Sequence, residues 1–155
     1  MRITICAVGR LRKGPAATLL DDYLTRFDRT GRGLGLSFAK LREVEPKPAT
    51  PPVEAEALLR QAPEGAVQLA LDERGRALTS PEFATLLARW RDAGDRDLAI
   101  FIGGADGLDP GLRESCRERL SFGPMVWPHM LSRVMLAEQL YRAATILSGS
   151  PYHRA

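Results

Sequence analysis

The sequence predicts an α/β protein with a mainly parallel sheet flanked by helices. Two observations carry this prediction: short β-rich or apolar segments occur five times along the chain, and segments with helical periodicity separate them. Such alternation favours a parallel sheet, because a parallel connection needs a crossover of the length that a helix provides. A chain of 155 residues is also a usual size for one domain with its own core. We therefore expect a single domain over residues 1–155.

The elements of the first half follow from alternation, periodicity and chain-breaking residues. Residues 2–8 alternate and are rich in β-formers until Gly9 ends the run. Pro15 suits the first turn of a helix whose apolar residues recur on one face. Four prolines within residues 45–52 indicate a surface loop. The sequence thus predicts, in order, a strand over 2–8, a helix over 15–27, a turn over 30–33, a strand over 34–41, a helix over 53–62 and a strand over 66–72.

The second half begins with a clear helix start. Thr79 stands three residues before Glu82, as in a capping box, and Pro81 suits the first turn. Residues 98–102 form the most apolar run and predict a buried strand. The sequence thus predicts, in order, a helix over 79–93, a strand over 98–102, a short helix over 111–119, a strand-like run over 122–127 and a long helix over 132–147.

Composition excludes several classes of protein. No apolar run approaches the ~20 residues that span a membrane, and the first residues become polar too early for a signal peptide. The cysteines, Cys6 and Cys116, form no C-x-x-C pair and predict reduced thiols in a cytoplasmic protein. Two histidines and two cysteines at these spacings make no zinc site, so we expect no metal.

Charge is distributed unevenly along the chain, whose net charge is +3. Residues 1–50 hold ten Lys or Arg against five Asp or Glu, whereas residues 51–110 hold six against eleven. Residues 111–155 are basic again, with six against three. Basic ends are compatible with a surface that faces phosphate groups, and equally with an ordinary solvated surface.

Two candidate sites follow predicted strands. Gly103-Gly104-Ala105-Asp106-Gly107 comes directly after a buried strand, where glycines permit close approach of the backbone to a ligand or simply a tight turn. Its spacing matches neither the dinucleotide fingerprint nor a phosphate-binding P-loop. His129 follows Trp127-Pro128 and is either a base or phosphate ligand, or a histidine bonded to backbone at a helix start.

The last helix and the tail carry further polar residues. Glu138 and Arg142 are spaced i, i+4, an arrangement that commonly forms a surface ion pair. Tyr152, His153 and Arg154 place an aromatic ring, a titratable base and a cation in succession near the end of the chain. Stacking plus a cation suits a nucleobase, although tails are often frayed.

Taken together, these motifs resemble one family. The resemblance rests on Ile5–Gly9, Ile102–Leu108, Trp127-Pro128-His129, Arg133-Val134, Glu138–Ala143 and Pro151–Arg154. It covers the whole chain and points to the RlmH family, the ribosomal large-subunit pseudouridine methyltransferases of the SPOUT superfamily.

The resemblance implies a C-terminal trefoil knot, an exception to the rule that chains are unknotted. It implies a homodimer that binds S-adenosyl-L-methionine (SAM) and methylates N3 of a pseudouridine in 23S ribosomal RNA of the assembled ribosome. It also implies which residues contact the cofactor, namely Leu71, Gly103, Gly104, Phe122, Gly123, Pro124, Met125, Val126 and Trp127.

The remaining implied roles concern the substrate and the chemistry. By resemblance, Tyr152, His129 and Arg133 bind the substrate, and the tail reaches the pocket, in our interpretation across the dimer. Because the N3–H proton must leave, we take His153 as the first candidate base and Glu138 as the second. Arg154 and Arg142 are expected to stabilise charge that develops on the base.

This chain departs from the family pattern at four of the loop positions. Ala105-Asp106 stands where the family commonly has Pro-Glu, and Gly123 and Val126 stand where it has small hydroxyl residues. Two alternatives stay open at this point: a non-catalytic RNA- or ribosome-binding protein on the same scaffold, and a SPOUT methyltransferase acting on tRNA. The first would need no bound SAM.

Overall fold

The computed structural model describes residues 1–154 and contains one five-stranded sheet with helices on both faces. The strands are β1 (Arg2–Val8), β2 (Ser37–Val44), β3 (Val67–Ala77), β4 (Asp97–Ile102) and β5 (Glu118–Ser121). The α-helices are α1 (Pro15–Gly31), α2 (Pro51–Leu59), α3 (Ser80–Asp92), α4 (Pro110–Ser115) and α5 (His129–Leu147), with a 3-10 turn over Arg32–Leu34. The sheet order is β2-β1-β4-β3-β5 and every pairing is parallel. The α/β class with a parallel sheet is therefore confirmed.

Two hydrophobic clusters, one on each face of the sheet, hold the three layers together. The larger cluster joins the sheet to α1, α3 and α5 through side chains such as Phe27, Leu87 and Leu140, all completely buried. The smaller cluster joins it to α2 and α4 through Leu58 and Leu112. The strands alternate their side chains between these two clusters, which is why β4 is apolar from Leu98 to Ile102.

The parallel register brings the carboxyl ends of the inner strands to one edge. Ile102 at the end of β4 lies opposite Ala7 of β1 and Leu71 of β3. The pairing of β3 with β5 shifts its register between Leu71 and Arg76, so residues 72–75 leave the ladder at the same edge. The bulge of β3 and the loops that follow β1, β4 and β5 therefore meet there, as ligand-binding loops of open α/β sheets do.

The helix start at Thr79 is confirmed in atomic detail. The Thr79 hydroxyl accepts from the Glu82 main-chain N–H, and the Glu82 carboxylate accepts from the Thr79 main-chain N–H at 2.7 Å. Each side chain therefore satisfies a donor that the first turn leaves free.

Two predicted elements of the second half were wrong. The helix predicted over 111–119 ends at Ser115, because Leu120 is buried in the sheet and the chain from Glu118 pairs with β3. The strand-like run predicted over 122–127 is an irregular loop. Gly123 has a φ of +105°, and the prolines at 124 and 128 cannot donate to a ladder.

The turn predicted over 30–33 was also wrong, since α1 continues through residue 31. At Gly31 a Cβ would lie 2.7 Å from the Leu36 carbonyl oxygen, so glycine is needed for close packing rather than for a turn. The chain reverses at Gly35, which has a φ of +73°.

Candidate cofactor and tail sites

A cavity of about 260 Å³ lies at the carboxyl edge of the sheet. The bulge of β3 and the loops after β4 and β5 form its walls, and the first turn of α5 closes one side. The residues that line it are Leu71, Asp72, Glu73, Arg74, Ile102, Gly103, Gly104, Ala105, Asp106, Gly107, Leu108, Phe122, Gly123, Met125, Val126, Trp127, His129 and Ser132. Of the nine residues that the sequence assigned to the cofactor, all but Pro124 line this cavity, and Pro124 lies in the same loop between Gly123 and Met125.

The glycine loop forms a wall that side chains could not enter. A Cβ on Gly103 would lie 2.6 Å from the carbonyl carbon of Gly107 and 2.7 Å from the nitrogen of Leu108. Gly104 and Gly107 also pair across the loop as an isolated bridge. The backbone therefore folds tightly on itself, and main-chain atoms border the cavity.

The loop over residues 122–128 forms the outer wall and is the most exposed apolar segment of the chain. Val126 is 84% exposed and Met125 is 68% exposed. The base of the loop is fixed by Ser121, whose hydroxyl accepts from the Gly123 main-chain N–H at 3.0 Å. Large apolar side chains left in water indicate a surface that a ligand or a partner covers.

Carboxylates dominate the charge around the cavity. Asp72, Glu73 and Asp106 line it, against the single cation Arg74. Asp72 lies 3.8 Å from Arg113, whose Nη1 is buried and has no hydrogen-bond partner among residues 1–154. This wall therefore suits a cationic ligand better than an anionic one.

A further carboxylate lies directly behind the glycine loop. The Glu54 side chain is buried, and its Oε1 would be 3.3 Å from a Cβ on Gly104. Burial raises the pKa of Glu54, and the nearby charge of Asp106 raises it further. Sequence reasoning missed Glu54, because its contact with Gly104 joins segments fifty residues apart.

His129 lines the cavity at the start of α5, whereas Arg133 is completely buried one turn further on. A Cβ on Gly9 would lie 3.5 Å from Nε2 of His129, so the histidine also faces the loop after β1. Burial lowers the pKa of His129, and the charge of Arg133 lowers it further, so the neutral ring is favoured.

Arg133 connects α5 to the ends of β1 and β2 and does not line the cavity. Its Nη2 donates to the carbonyl oxygens of Val8 at 2.6 Å and Gly9 at 2.8 Å, and its Nη1 donates to Glu43 at 2.9 Å. Its Nε is buried and has no partner among the described residues. In this structure Arg133 holds the carboxyl ends of β1 and β2 against α5.

The remaining predicted residues form a separate cluster on α5 and the tail. Oε1 of Glu138 accepts from Nε of Arg142 at 3.0 Å and from the Tyr152 hydroxyl at 3.0 Å. The Arg142 guanidinium also lies over the Tyr152 ring, 4.8 Å from its centre, and its Nη1 is 3.3 Å from Nδ1 of His153. Glu138, Arg142, Tyr152 and His153, which we call the tail cluster, are thus in mutual contact, while Arg154 is exposed beside them.

The tail cluster does not line the cavity. Glu138 is nine residues after His129 on α5, which corresponds to about 14 Å along the helix axis. Glu138 instead borders an apolar groove of about 530 Å³ between α1, α3 and α5. Phe122 and Gly123 line both the groove and the cavity, so the two are neighbours.

Several cavity residues were not predicted from the sequence. Asp72, Glu73 and Arg74 follow Leu71 directly, and the rule that ligands bind beyond the carboxyl ends of strands points to them. The sequence therefore pointed to the segment after Leu71 but gave these three residues no individual role, and it ended the strand at residue 72, whereas β3 continues past a bulge to Ala77.

Residues 1–154 contain no group of three or more His, Cys, Asp or Glu side chains placed to hold a metal ion. In the same residues, no helix is both long and apolar enough to cross a membrane.

Comparison with known proteins gives full-length matches. A family model described as "Predicted SPOUT methyltransferase" matches residues 1–153. The ribosomal RNA large subunit methyltransferase H of Dinoroseobacter shibae is 63% identical over 155 residues, and the protein of the same name from Ruegeria pomeroyi is 64% identical. Each alignment covers 99% of both chains.

A solved structure shares the fold at low sequence identity. It is a probable methylase family protein from Haemophilus influenzae, with a TM-score of 0.53 and 14% identity. The alignment covers 99% of this chain and 70% of that one.

Proposed function

The chain belongs to the SPOUT methyltransferase family, and from that membership we propose that it transfers a methyl group from SAM to N3 of a pseudouridine in 23S ribosomal RNA. The proposed substrate rests on the 63–64% identity, over 99% of both chains, to proteins named ribosomal RNA large subunit methyltransferase H. The chain acts in the cytoplasm on the assembled ribosome. The two buried, unpaired cysteines, Cys6 and Cys116, support that compartment.

The cavity fits SAM in shape and in charge. At Gly103 the loop packs so tightly on the backbone of Gly107 and Leu108 that no Cβ fits, and this leaves main-chain groups to border the cofactor. Asp72, Glu73 and Asp106 surround a ligand that carries a sulfonium and an ammonium group. Leu71, Phe122 and Trp127 offer apolar surface to its adenine. When bound, SAM supplies an activated methyl group, so the protein contributes alignment rather than a nucleophile.

The tail cluster performs the proton chemistry in this proposal. A guanidinium only donates, so Nδ1 of His153 accepts from Arg142, and the neutral ring carries its proton on Nε2. His153 is therefore the base at Nδ1 once the substrate displaces Arg142. Glu138 is the second candidate, although Arg142, Tyr152 and Gln139 already donate to its oxygens.

Cations and an aromatic ring complete the substrate side. Arg142 and Arg154 stabilise the negative charge that develops on the pseudouridine ring as its N3–H ionises. Tyr152 stacks on the base, and His129, neutral at the cavity wall, orients the substrate beside the cofactor. Arg133 acts indirectly, because its buried contacts with Val8 and Gly9 hold the cavity wall in place.

A homodimer brings the tail cluster of one protomer to the cavity of its partner. Two observations support this proposal. Within one protomer the cluster lies about 14 Å along α5 from His129. Apolar side chains also remain exposed on the loop and the start of α5, as a partner would need; they are Met125, Val126, Trp127, Met130 and Leu131.

The C-terminal segment is proposed to thread as a trefoil knot. The strand order supports it, since β3 lies between β4 and β5, and the bulge of β3 meets the loops after β4 and β5 at one edge. A knotted segment would hold the loop over residues 122–128 against the glycine loop without help from a ligand.

Mass spectrometry of 23S ribosomal RNA tests the function. We expect a strain that lacks the gene to lose one methyl group from a pseudouridine, and the purified protein with SAM to restore it on ribosomes from that strain. Persistence of the methylated pseudouridine in the deletion strain would reject the proposal. Methylation of tRNA but not of 23S ribosomal RNA would identify tRNA as the substrate instead.

A further inference from the structure

The loop between β1 and α1 presents three cations beside the cofactor cavity. We propose that this loop, through Arg12 and Lys13, is the surface that docks the phosphate backbone of the ribosomal RNA next to the reacting base. The inference rests on the proposed function, because it names where that RNA lies on the protein. Arg10, Arg12 and Lys13 are consecutive or nearly so, and all three are exposed.

The position of the loop is set by the sheet. β1 is the neighbour of β4, and Ala7 lies opposite Ile102, so both strands end at the edge that carries the cavity. Gly9, the first residue of the loop, lies against the ring of His129, which lines the cavity. An RNA strand that contacts this loop would therefore lie beside the cofactor cavity.

The base of the loop is anchored before any ligand arrives. Arg133 donates to the carbonyl oxygens of Val8 and Gly9, and the Gly9 N–H donates to the Val44 carbonyl at 2.8 Å. The main-chain N–H of Leu11 donates to the Glu43 carboxylate. A loop fixed in this way loses little conformational entropy when its side chains bind phosphate.

The charges of the loop are available to a partner. Within residues 1–154, neither Arg12 nor Lys13 has a carboxylate within ion-pair distance. Arg10 lies 3.8 Å from Glu45, and both side chains are more than half exposed, so water screens that pair. The first turn of α1 holds no acidic residue that would compete with phosphate.

The test compares two variants that each remove two positive charges. R12A/K13A changes the proposed docking loop. R89A/R96A removes two exposed arginines from the end of α3 and the start of β4, at the opposite edge of the sheet. The R12K/K13R variant keeps both positive charges, so it tests whether charge alone at these two positions is sufficient for ribosome binding.

Binding to ribosomes from the deletion strain is measured between 50 and about 200 mM salt. For R12A/K13A we expect the affinity for ribosomes at the lowest salt to fall about tenfold or more. The negative slope of log K against log salt should become shallower by about 2. Its KM for ribosomes rises while kcat at saturation and the Kd for SAM stay unchanged. R89A/R96A and R12K/K13R behave as the parent protein.

Failure of this inference is distinct from failure of the proposed function. If the parent protein methylates ribosomes but R12A/K13A matches R89A/R96A in salt slope and KM, the docking surface lies elsewhere. If the parent protein does not methylate ribosomes at all, the proposed function fails first.

Discussion

Arg133 and Glu43, ninety residues apart in the chain, form an ion pair of 2.9 Å in which the Arg133 side chain is completely buried. The same guanidinium satisfies the carbonyl oxygens of Val8 and Gly9. Burial lowers the pKa of Arg133, which shows that the pair and the two carbonyls must offset a substantial loss of hydration.

Removal of this guanidinium is expected to destabilise the fold. R133M would remove the Arg133 donor from the carbonyl oxygens of Val8 and Gly9 and leave Glu43 without its charged partner, a loss of about 2–4 kcal/mol in the free energy of unfolding. R133K keeps the charge but not the forked geometry of the guanidinium. Its free energy of unfolding should lie between those of R133M and the parent protein. Urea denaturation measures the effect. An R133M protein as stable as the parent, but with a raised KM for RNA, would instead support the direct substrate contact that the sequence predicted.

The glycine loop provides a second prediction, on cofactor binding. G103A would force a Cβ to within 2.6 Å of the Gly107 backbone, so the loop must move and the cavity wall with it. We expect the affinity for SAM, measured by calorimetry, to fall at least tenfold. G33A is the matched control, because a Cβ on Gly33 meets nothing within 4 Å. Equal affinities in the two variants would show that the loop does not shape the cofactor site.

Local signals in the sequence predicted some of these features well. The capping box of Thr79 and Glu82 uses residues three apart, so its geometry is set by the helix itself. The glycine loop follows a strand whose apolar character is unmistakable, which placed it at the carboxyl edge. In both cases the contacts that matter lie within one element or between adjacent ones.

Contacts between distant segments could not be predicted in this way. The family resemblance implied that Arg133 binds substrate, whereas its burial depends on β1 and β2 packing against α5. The loop over 122–127 was taken for a strand from its apolar residues. Met125, Val126 and Trp127 are exposed in this structure, and composition alone does not separate a buried strand from a surface that a ligand or partner covers.

Glu54 predicts an unusual dependence of stability on pH. Its pKa is raised in the folded protein, so the folded state binds more protons than the unfolded state, and this contribution to stability falls as pH rises from the ordinary glutamate value through the raised one. E54Q removes the titrating group and should gain stability relative to the parent protein as pH increases from about 4.5 to 8.

Urea denaturation across that pH range measures the difference between E54Q and the parent protein. E56Q is the control on the same helix, since Glu56 is exposed and paired only with Arg60. A difference between E54Q and parent that does not change with pH would contradict the raised pKa of Glu54.

The tail residues are expected to act in turnover and not in cofactor binding. H153A removes the proposed base, and R154A removes an exposed cation beside the tail cluster. Both should lower kcat by at least tenfold while the Kd for SAM stays nearly unchanged, because the proposed cofactor contacts lie on the sheet and its loops and not on the tail. Loss of SAM binding in both variants, by calorimetry, would reject this division of roles.

Mixing two inactive variants tests whether the site is shared between protomers. G103A disables the cavity and leaves the tail intact, whereas H153A disables the tail and leaves the cavity intact. In a mixed dimer whose tails reach across, one of the two sites combines an intact cavity with an intact tail. Random exchange of equal amounts should then restore about a quarter of the parent activity. If each tail serves its own cavity, no site in the mixture is complete, and activity stays at the level of the separate variants.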